Sequence, residues 1–498
     1  MGLFDFGKKK EPEKPKMMKR NYHAANAGRL FADFSDSERS ADSELYPALT
    51  RIRARARDLA RNNEYVRRYL NLLKNNVVGP AGIGLQVKST DPDGSLDQEG
   101  NQAVENAFKL WARRGNCTVN GSMSFVDVQK LVIESLARDG EVFIILHRAN
   151  QFHDTFAIEV LEADQVDEEK NEKLPNGHEI RMGVEVDQYR KPVAYHFLTN
   201  HPGDYDFATK IGVSKHTRVP ANKVIHIYQR LRAGQTRGES WLSPALGAIK
   251  QLDGWREASI VAARMGASKM GFFTSPSGDG FVADDMQDDV PYIEASPGSF
   301  HQLPTGVDFK AFDTGYPTNE FESFHKAVLK GVASGLGISY AALANDLEAT
   351  SYSSIRQGAL DERDTYRNLQ NFLIDQMVRP IFEVWLGAAM EGSSFGIGMI
   401  KYEKFVYSAE FRGRTWQWVD PIKDAQGMIL SLQAGMISIS DAAEHYGKDA
   451  EELFSQIQRD KQMSERFGIS YAMEPYGTQK MPVNPEGYED SDNADVQG

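Results

Sequence analysis

Residues 392–396 (Gly392-Ser393-Ser394-Phe395-Gly396) have the spacing of a nucleophile elbow, and Asp420 and His445 follow in the chain order of a hydrolase. Such an elbow needs a strand before the serine and a helix after it. Here a long helical pattern precedes Ser394, a Gly-rich loop follows it, and the interval to His445 is short for a hydrolase sheet. Residues 79–84 (GPAGIG) resemble a phosphate cradle, but the Lys-Ser or Lys-Thr pair is missing. The segment also joins a helix to a strand, the reverse of a P-loop, so it reads as turn chemistry. The eleven histidines form no HExxH pair and no metal spacing. His226, within the apolar run Val224-Ile225-His226-Ile227-Tyr228, reads as a satisfied core or interface residue. Cys117 is the single cysteine, which excludes an intrachain disulfide and a cysteine metal cluster. No basic cluster surrounds it to activate the thiol. The sequence therefore offers no catalytic residue, no metal ligand set and no cofactor site.

The charge balance narrows the partners. With 57 basic and 70 acidic residues the chain carries −13. Tight nucleic-acid binding is built from Lys and Arg contacts to phosphate, so a gripping role is disfavoured while a duplex sliding past is not. The ends are opposed: residues 1–20 hold 7 basic and 3 acidic residues, residues 468–498 hold 1 and 6. Both read as tails, a basic arm over 1–44 and an acidic one over 467–498. No apolar run approaches the ~18 residues of a membrane span. Met1 to Phe6 is followed by charge and proline rather than an apolar signal core, and Phe6 stands where myristoylation wants Ser or Thr. The expectation is a protein that is cytoplasmic when made.

The elements that position these residues follow from pattern. Pro47 opens a helix toward Asn62, with Arg53, Arg57 and Arg61 as a basic stripe, and Asn63 caps a second helix over 64–76. Helices follow over 97–111 and from Ser124 to Arg138. Strands are expected at 85–88, 141–147, 157–161, 179–186, 193–198 and 223–228, with no βαβ rhythm, so the region is α+β and largely antiparallel. Ser243 and Pro244 open a helix to Ser268, 26 residues or roughly 39 Å at ~1.5 Å per residue. A shorter helix spans 319–335. Residues 269–318 between them are rich in Gly, Pro and Asp, with short strands at 300–303 and 307–312. A polar connector, 345–354, leads into a long helix from Ile355 to Glu391 that should kink near Pro380. Further strands are expected at 405–411 and 415–419, then helices at 421–433 and from Ser440.

Eight ordered segments carry a family resemblance: RARARDLARNN (53–63), NVVG (76–79), RDGE (138–141), VIHIY (224–228), RAGQTRG (232–238), ASGLGISY (333–340), YSSIR (352–356) and WVDPIK (418–423). In this order and spacing the chain resembles the portal proteins of tailed phages, specifically the lambda-type family, over about residues 45–460. The resemblance implies a portal fold assembled as a ring, usually of twelve subunits, at one capsid vertex. Its parts would be an α+β wing (45–240, with return strands at 393–420), a two-helix stem (241–268 and 319–337) and a small α/β clip (269–318). A tunnel loop with a long kinked helix (338–392) and a helical crown (421–466) complete it. It also implies a virion protein that nucleates procapsid assembly. The partners implied are major capsid and scaffold proteins, the terminase large subunit, head-completion or tail-connector proteins, and double-stranded DNA passing without sequence specificity. ATP hydrolysis would belong to terminase. The alternative is a structural head–tail connector or capsid ring that moves no DNA.

Under that resemblance the tunnel loop would offer Asn345, Asp346, Glu348, Thr350, Ser351, Tyr352, Ser353 and Ser354 to the DNA backbone. Lys250, Arg256, Arg264 and Lys269 on the first stem helix, with Lys326 and Lys330 on the second, would supply cations to the channel or form salt bridges. Asp284, Asp285, Asp288, Asp289 and Lys310 in the clip would face terminase or a connector. Arg53, Arg57 and Arg61 read as structural pairs in the wing.

Overall fold

The computed structural model describes residues 38–204, 216–267, 271–274, 285–287, 290–292, 308–311, 321–347, 352–392, 396–416, 421–446 and 450–468. The chain opens with α1 (Ala41–Leu45), α2 (Leu49–Asn62) and α3 (Glu64–Leu73), the last running into a π-helical turn at Lys74–Val78. α1 begins inside the 1–44 span expected to be a basic arm, of which residues 1–37 lie outside the described residues. Ser40 caps α1, and Asp42 is buried, accepting hydrogen bonds from the Thr236 N–H (2.8 Å) and hydroxyl (2.8 Å). Asn63 ends α2 and caps α3 through the Tyr65 and Val66 N–H groups.

Strand β1 (Gly84–Val87) is followed by α4 (Gln98–Trp111), capped by Asp97, and α5 (Phe125–Asp139), whose Ser124 and Asp127 form a reciprocal capping box. Two antiparallel sheets come next. The first has the order β3-β2-β9, from β2 (Glu141–Arg148), β3 (Phe156–Leu161) and β9 (Val224–Tyr228). The second is a meander of β4 (Glu172–Lys173), β5 (Glu179–Arg181), β6 (Val184–Val186), β7 (Pro192–Leu198) and β8 (His216–Pro220). The single strand expected at 179–186 is thus a hairpin. Met182 and Gly183 both take positive φ and turn the chain where the alternation alone read straight through.

Helix α6 (Leu246–Ala267) starts after a turn over 241–245, two residues beyond the expected Pro244. Two short ribbons follow, β10 (Gly271–Thr274) with β13 (Asp308–Ala311), and β11 (Asp285–Gln287) with β12 (Val290–Tyr292). The strand expected at 300–303 lies outside the described residues. Then come α7 (Phe321–Leu336), α8 (Tyr340–Ala344) and α9 (Tyr352–Leu373). A π-helical turn, Ile374–Val378, joins α9 to α10 (Arg379–Glu391). The irregularity falls where Pro380 lacks an N–H for the preceding turn and its ring crowds the carbonyl behind it.

Helix α11 (Tyr402–Tyr407) and β14 (Ala409–Arg412) stand where strands were expected over 405–411. Phe405 is fully buried from a helix, and Tyr402, Phe405 and Val406 share the i, i+3, i+4 face that packs on the core. β14 pairs antiparallel with β1; residues 417–419 lie outside the described residues. The last helices are α12 (Pro421–Gln433), α13 (Ile439–His445) and α14 (Ala450–Phe467). α13 is capped by Ser438 with Asp441 rather than by Ser440, because only the 438–441 interval closes a capping box.

One large core ties distant segments together. Phe108 packs against Trp111 (5.5 Å), Phe382 (5.6 Å) and Trp385 (5.0 Å), and Trp111 stacks on Phe156 (5.6 Å). Both indoles spend their N–H groups, Trp111 on the Phe156 carbonyl and Trp385 on the Asp154 carboxylate. α10 is thereby a core helix of the α+β region.

Candidate functional site

The site begins where α3, α6 and α7 converge. Buried Asn63 donates through Nδ2 to both Asp253 oxygens (2.9 and 3.1 Å) while its own oxygen caps α3, so one amide docks α6 on the α2–α3 corner. Arg256, a channel candidate, pairs with Glu64 and lies 5.6 Å over the Tyr65 ring. Trp255 stacks on Phe321 (4.7 Å) and meets Phe324 (4.8 Å), which sets α7 against α6. His325 is hydrogen-bonded to the Tyr65 hydroxyl (3.3 Å); burial first, and then Arg256, push its pKa down.

Helix α7 ends on Gly337 with the Ile338 N–H bonded to the Ala333 carbonyl, a terminal motif that needs the left-handed backbone at 337 (φ 69°). Ser339 caps α8, its own N–H donating to Glu362 of α9 (2.7 Å). Asn345, also left-handed, closes α8. Asp346 then meets Lys326 (3.3 Å) and accepts from the Tyr340 hydroxyl (2.9 Å), while Lys330 lies 5.8 Å over the Tyr340 ring. Asp346 and Lys326 thus come together, and Glu322 (2.6 Å) completes the Lys326 environment, which raises its pKa.

The remaining candidates divide by position. Lys250 and Arg264 are exposed on α6. A groove of about 360 Å³ runs between Asp253 and Arg264, edged by exposed Ile260 and Val261. Tyr352, Ser353 and Ser354 belong to the first turn of α9, not to a loop, so the connector is shorter than its polarity implied. Asp285 opens β11 and Lys310 lies on β13 opposite Phe272. Lys269, Asp284, Asp288, Asp289, Glu348, Thr350 and Ser351 lie outside the described residues, as does Ser394. The helix α10 that precedes residue 394 is the wrong element for a nucleophile elbow.

Behind this junction lies a buried charge network that the sequence did not assemble. Glu141, fully buried, meets Arg237 (2.7 Å), Arg53 (3.1 Å), the His226 ring (2.9 Å) and the Gly238 N–H (2.9 Å). Burial alone would raise this carboxyl; Arg237, then His226, hold it well below the usual carboxylate range. Burial pushes His226 down, against the pull of Glu141. Arg237 also donates to the carbonyls of Met182 (2.6 Å) and Ala163 (2.9 Å). Arg53 continues to Asp164 (2.9 Å), and Arg57 joins Asp164 (2.5 Å) to Asp139 (2.7 Å). Arg53 and Arg57 are structural pairs, as expected; Arg61 is exposed.

Two glycines let the strands close on this network. A Cβ on Gly140 (φ 92°) would sit 2.3 Å from the Glu239 carbonyl carbon, and one on Gly238 2.3 Å from the Gly140 oxygen. Among the described residues Glu162, Asp164 and His201 could together hold a cation. Arg57 already occupies that place, 2.5 Å from Asp164, so the charge is met without a metal. Cys117 is buried and its thiol is pushed up to about 12 by burial, the inert behaviour its surroundings implied.

Residues 27–370 match the family model for phage portal proteins of the lambda family. The chain is 34% identical over 477 residues to the probable portal protein of Halomonas phage phiHAP-1, covering 94% of this chain and 90% of that protein. It is 21% identical over 495 residues to portal protein B of Escherichia phage lambda, covering 90% of each. A chain in the virion of a native gene transfer agent particle aligns over 81% of this chain and 93% of its own length. Its TM-score is 0.47 and its identity 14%.

Proposed function

The chain belongs to the lambda family of phage portal proteins, whose general role is DNA packaging. From that premise we propose that its copies close into a ring of twelve at one capsid vertex, through which double-stranded DNA enters and later leaves. The carrying observation is the family match over 27–370, which runs through the α+β region, α6, α7 and nearly all of α9. In this reading α6 and α7 are the stem, residues 269–318 the clip that meets terminase and then head-completion or tail-connector proteins, and 345–351 the tunnel loop. α12 to α14 form the crown. Capsid and scaffold proteins would meet the ring during assembly, and the mature protein would reside in the virion. The role is structural, with ATP hydrolysis left to terminase.

Twelve copies of a chain carrying −13 sum to about −156, while duplex DNA carries one charge per ~1.7 Å of axis. A wall of that sign resists clinging, and a few exposed cations offset the repulsion. Lys250 and Lys330 suit that part, whereas Arg256 and Lys326 are engaged in ion pairs that set the stem and hold Asp346. Phage carrying Lys250→Gln with Lys330→Gln should assemble rings visible by negative stain, yet package or retain less DNA. Full heads at wild-type yield would remove both lysines from the account. Pore-free particles or monomers of the purified protein would end the ring proposal itself.

A further inference from the structure

Helices α2, α3 and α5 meet along a groove of about 670 Å³ that the portal reading leaves without a role. Its sign opposes that of the whole chain. α2 contributes Arg57 and Arg61, α3 contributes Arg67 and Lys74, and α5 contributes Arg138 beside Glu134. Three of these cations are already engaged: Arg57 with Asp139 and Asp164, Lys74 with Glu134 (2.7 Å), and Arg138 with Asp139 (2.7 Å). Arg61 and Arg67 are exposed and, among the described residues, have no ion partner. Both line the groove at the α2–α3 corner, beside cations that are already paired.

The chain carries its own matching anion. Residues 469–498 hold six acidic residues and one lysine, and Glu486, Glu489, Asp490, Asp492 and Asp495 all fall in the last thirteen positions. We propose that the α2–α3–α5 groove is the docking site for this acidic C-terminal segment. The segment is a long tether, since thirty residues extend up to about 100 Å at ~3.3 Å each. In an extended peptide side chains i and i+2 share a face about 6.6 Å apart, so Asp490 and Asp492 can present two carboxylates to one side. Duplex DNA, the other polyanion such a groove could meet, is separated from the segment by the test below.

Disulfide trapping in the full-length chain tests this. Arg61→Cys is combined with Asp490→Cys, and the control pairs Asp490→Cys with Lys109→Cys, an exposed site on α4; buried Cys117 stays silent. The groove pair should close about tenfold faster than the control at low salt. It should lose that advantage in 1 M salt, where the screening length is about 3 Å, or when Arg67→Glu is added. Intrachain against interchain bands on a gel tell whether a copy binds its own segment or a neighbour's. Equal rates for the two pairs, or a groove rate indifferent to salt, would overturn the proposal. A second reading needs only Arg61→Cys, labelled by a thiol reagent with the native segment or with Glu489, Asp490, Asp492 and Asp495 made amides. Several-fold faster labelling of the neutralised chain supports docking. Equal labelling overturns it, and so does protection of that thiol by duplex DNA but not by the segment.

Discussion

Charged residues are used in two ways in this molecule, and the contrast separates architecture from action. Around Glu141 the charges are buried, multiply bonded and drawn from four remote segments; none can be spared for a partner. Around Asp346 the charges are half-exposed or exposed and drawn from residues 322–346, with Lys326 shared between Glu322 and Asp346 and Lys330 over a ring face. Buried ion pairs are costly to break because removing one partner strands the other, whereas exposed pairs contribute little and can exchange partners. The first arrangement rigidifies the α+β region; the second leaves its members able to exchange partners.

Breaking the buried side should produce the largest effect. Glu141→Gln leaves Arg53 and Arg237 without their shared anion and should cost about 3–5 kcal/mol of unfolding free energy in urea titrations. A loss below about 1 kcal/mol would show that the network is more hydrated than its geometry indicates. Gly140→Ala comes next. The left-handed backbone alone costs about 1–3 kcal/mol, and the 2.3 Å approach to Glu239 adds to it, so differential scanning should show a lowered first transition.

Acid should sharpen the same contrast. Glu141 and His226 both titrate lower in the folded chain than in the unfolded one. Each therefore contributes stability that is whole above its unfolded value and lost as pH falls toward its folded one. Stability should decline gently below about pH 6.5 and steeply below about 4.3. His226 is flanked by Glu141, Arg237 and Arg230. His226→Gln keeps a donor toward Glu141 and should flatten only the upper limb of the curve, and an unchanged slope between pH 5 and 7 would exclude this histidine as the source.

The exposed side should barely register in stability. Asp346→Asn should leave the unfolding midpoint within error while altering DNA packaging or retention. A midpoint shift as large as that of Gly140→Ala would mean that the Asp346 turn is architectural too. Smallest of all, Cys117 should resist maleimide at pH 8 until the chain unfolds, since its thiol is held near pH 12.

The family signatures acquire a physical meaning from this contrast. Arg53 and Arg57, the 138–141 segment, His226 and residues 235–238 are brought together in one polar core. Asn63 and Ser339 are caps, and Asn76 accepts the Trp416 indole N–H (3.2 Å). What made the family recognisable was mostly the scaffold. Lys326 and Asp346 were named as candidates, but their meeting was not foreseen, nor were Tyr340, Tyr65, Glu64 and Asp253. The Ser339 cap was the one signal near Tyr340 that could have pointed there.

The sequence by itself determined what is local. Asp97, Ser124 and Asn63 set helix starts through bonds to N–H groups two or three residues on, apolar periodicity set α4, α5 and most strands, and Pro380 forecast the break before α10. It misjudged 402–411, where one helical turn and a four-residue strand share too few apolar positions for either period to stand out. Only the tertiary structure decided which charge meets which. Arg53 lies 88 positions from Glu141 and Asn63 lies 190 from Asp253, and no spacing rule spans such intervals. A buried carboxylate accepts whichever cations the packed core carries to it, so that choice belongs to the fold.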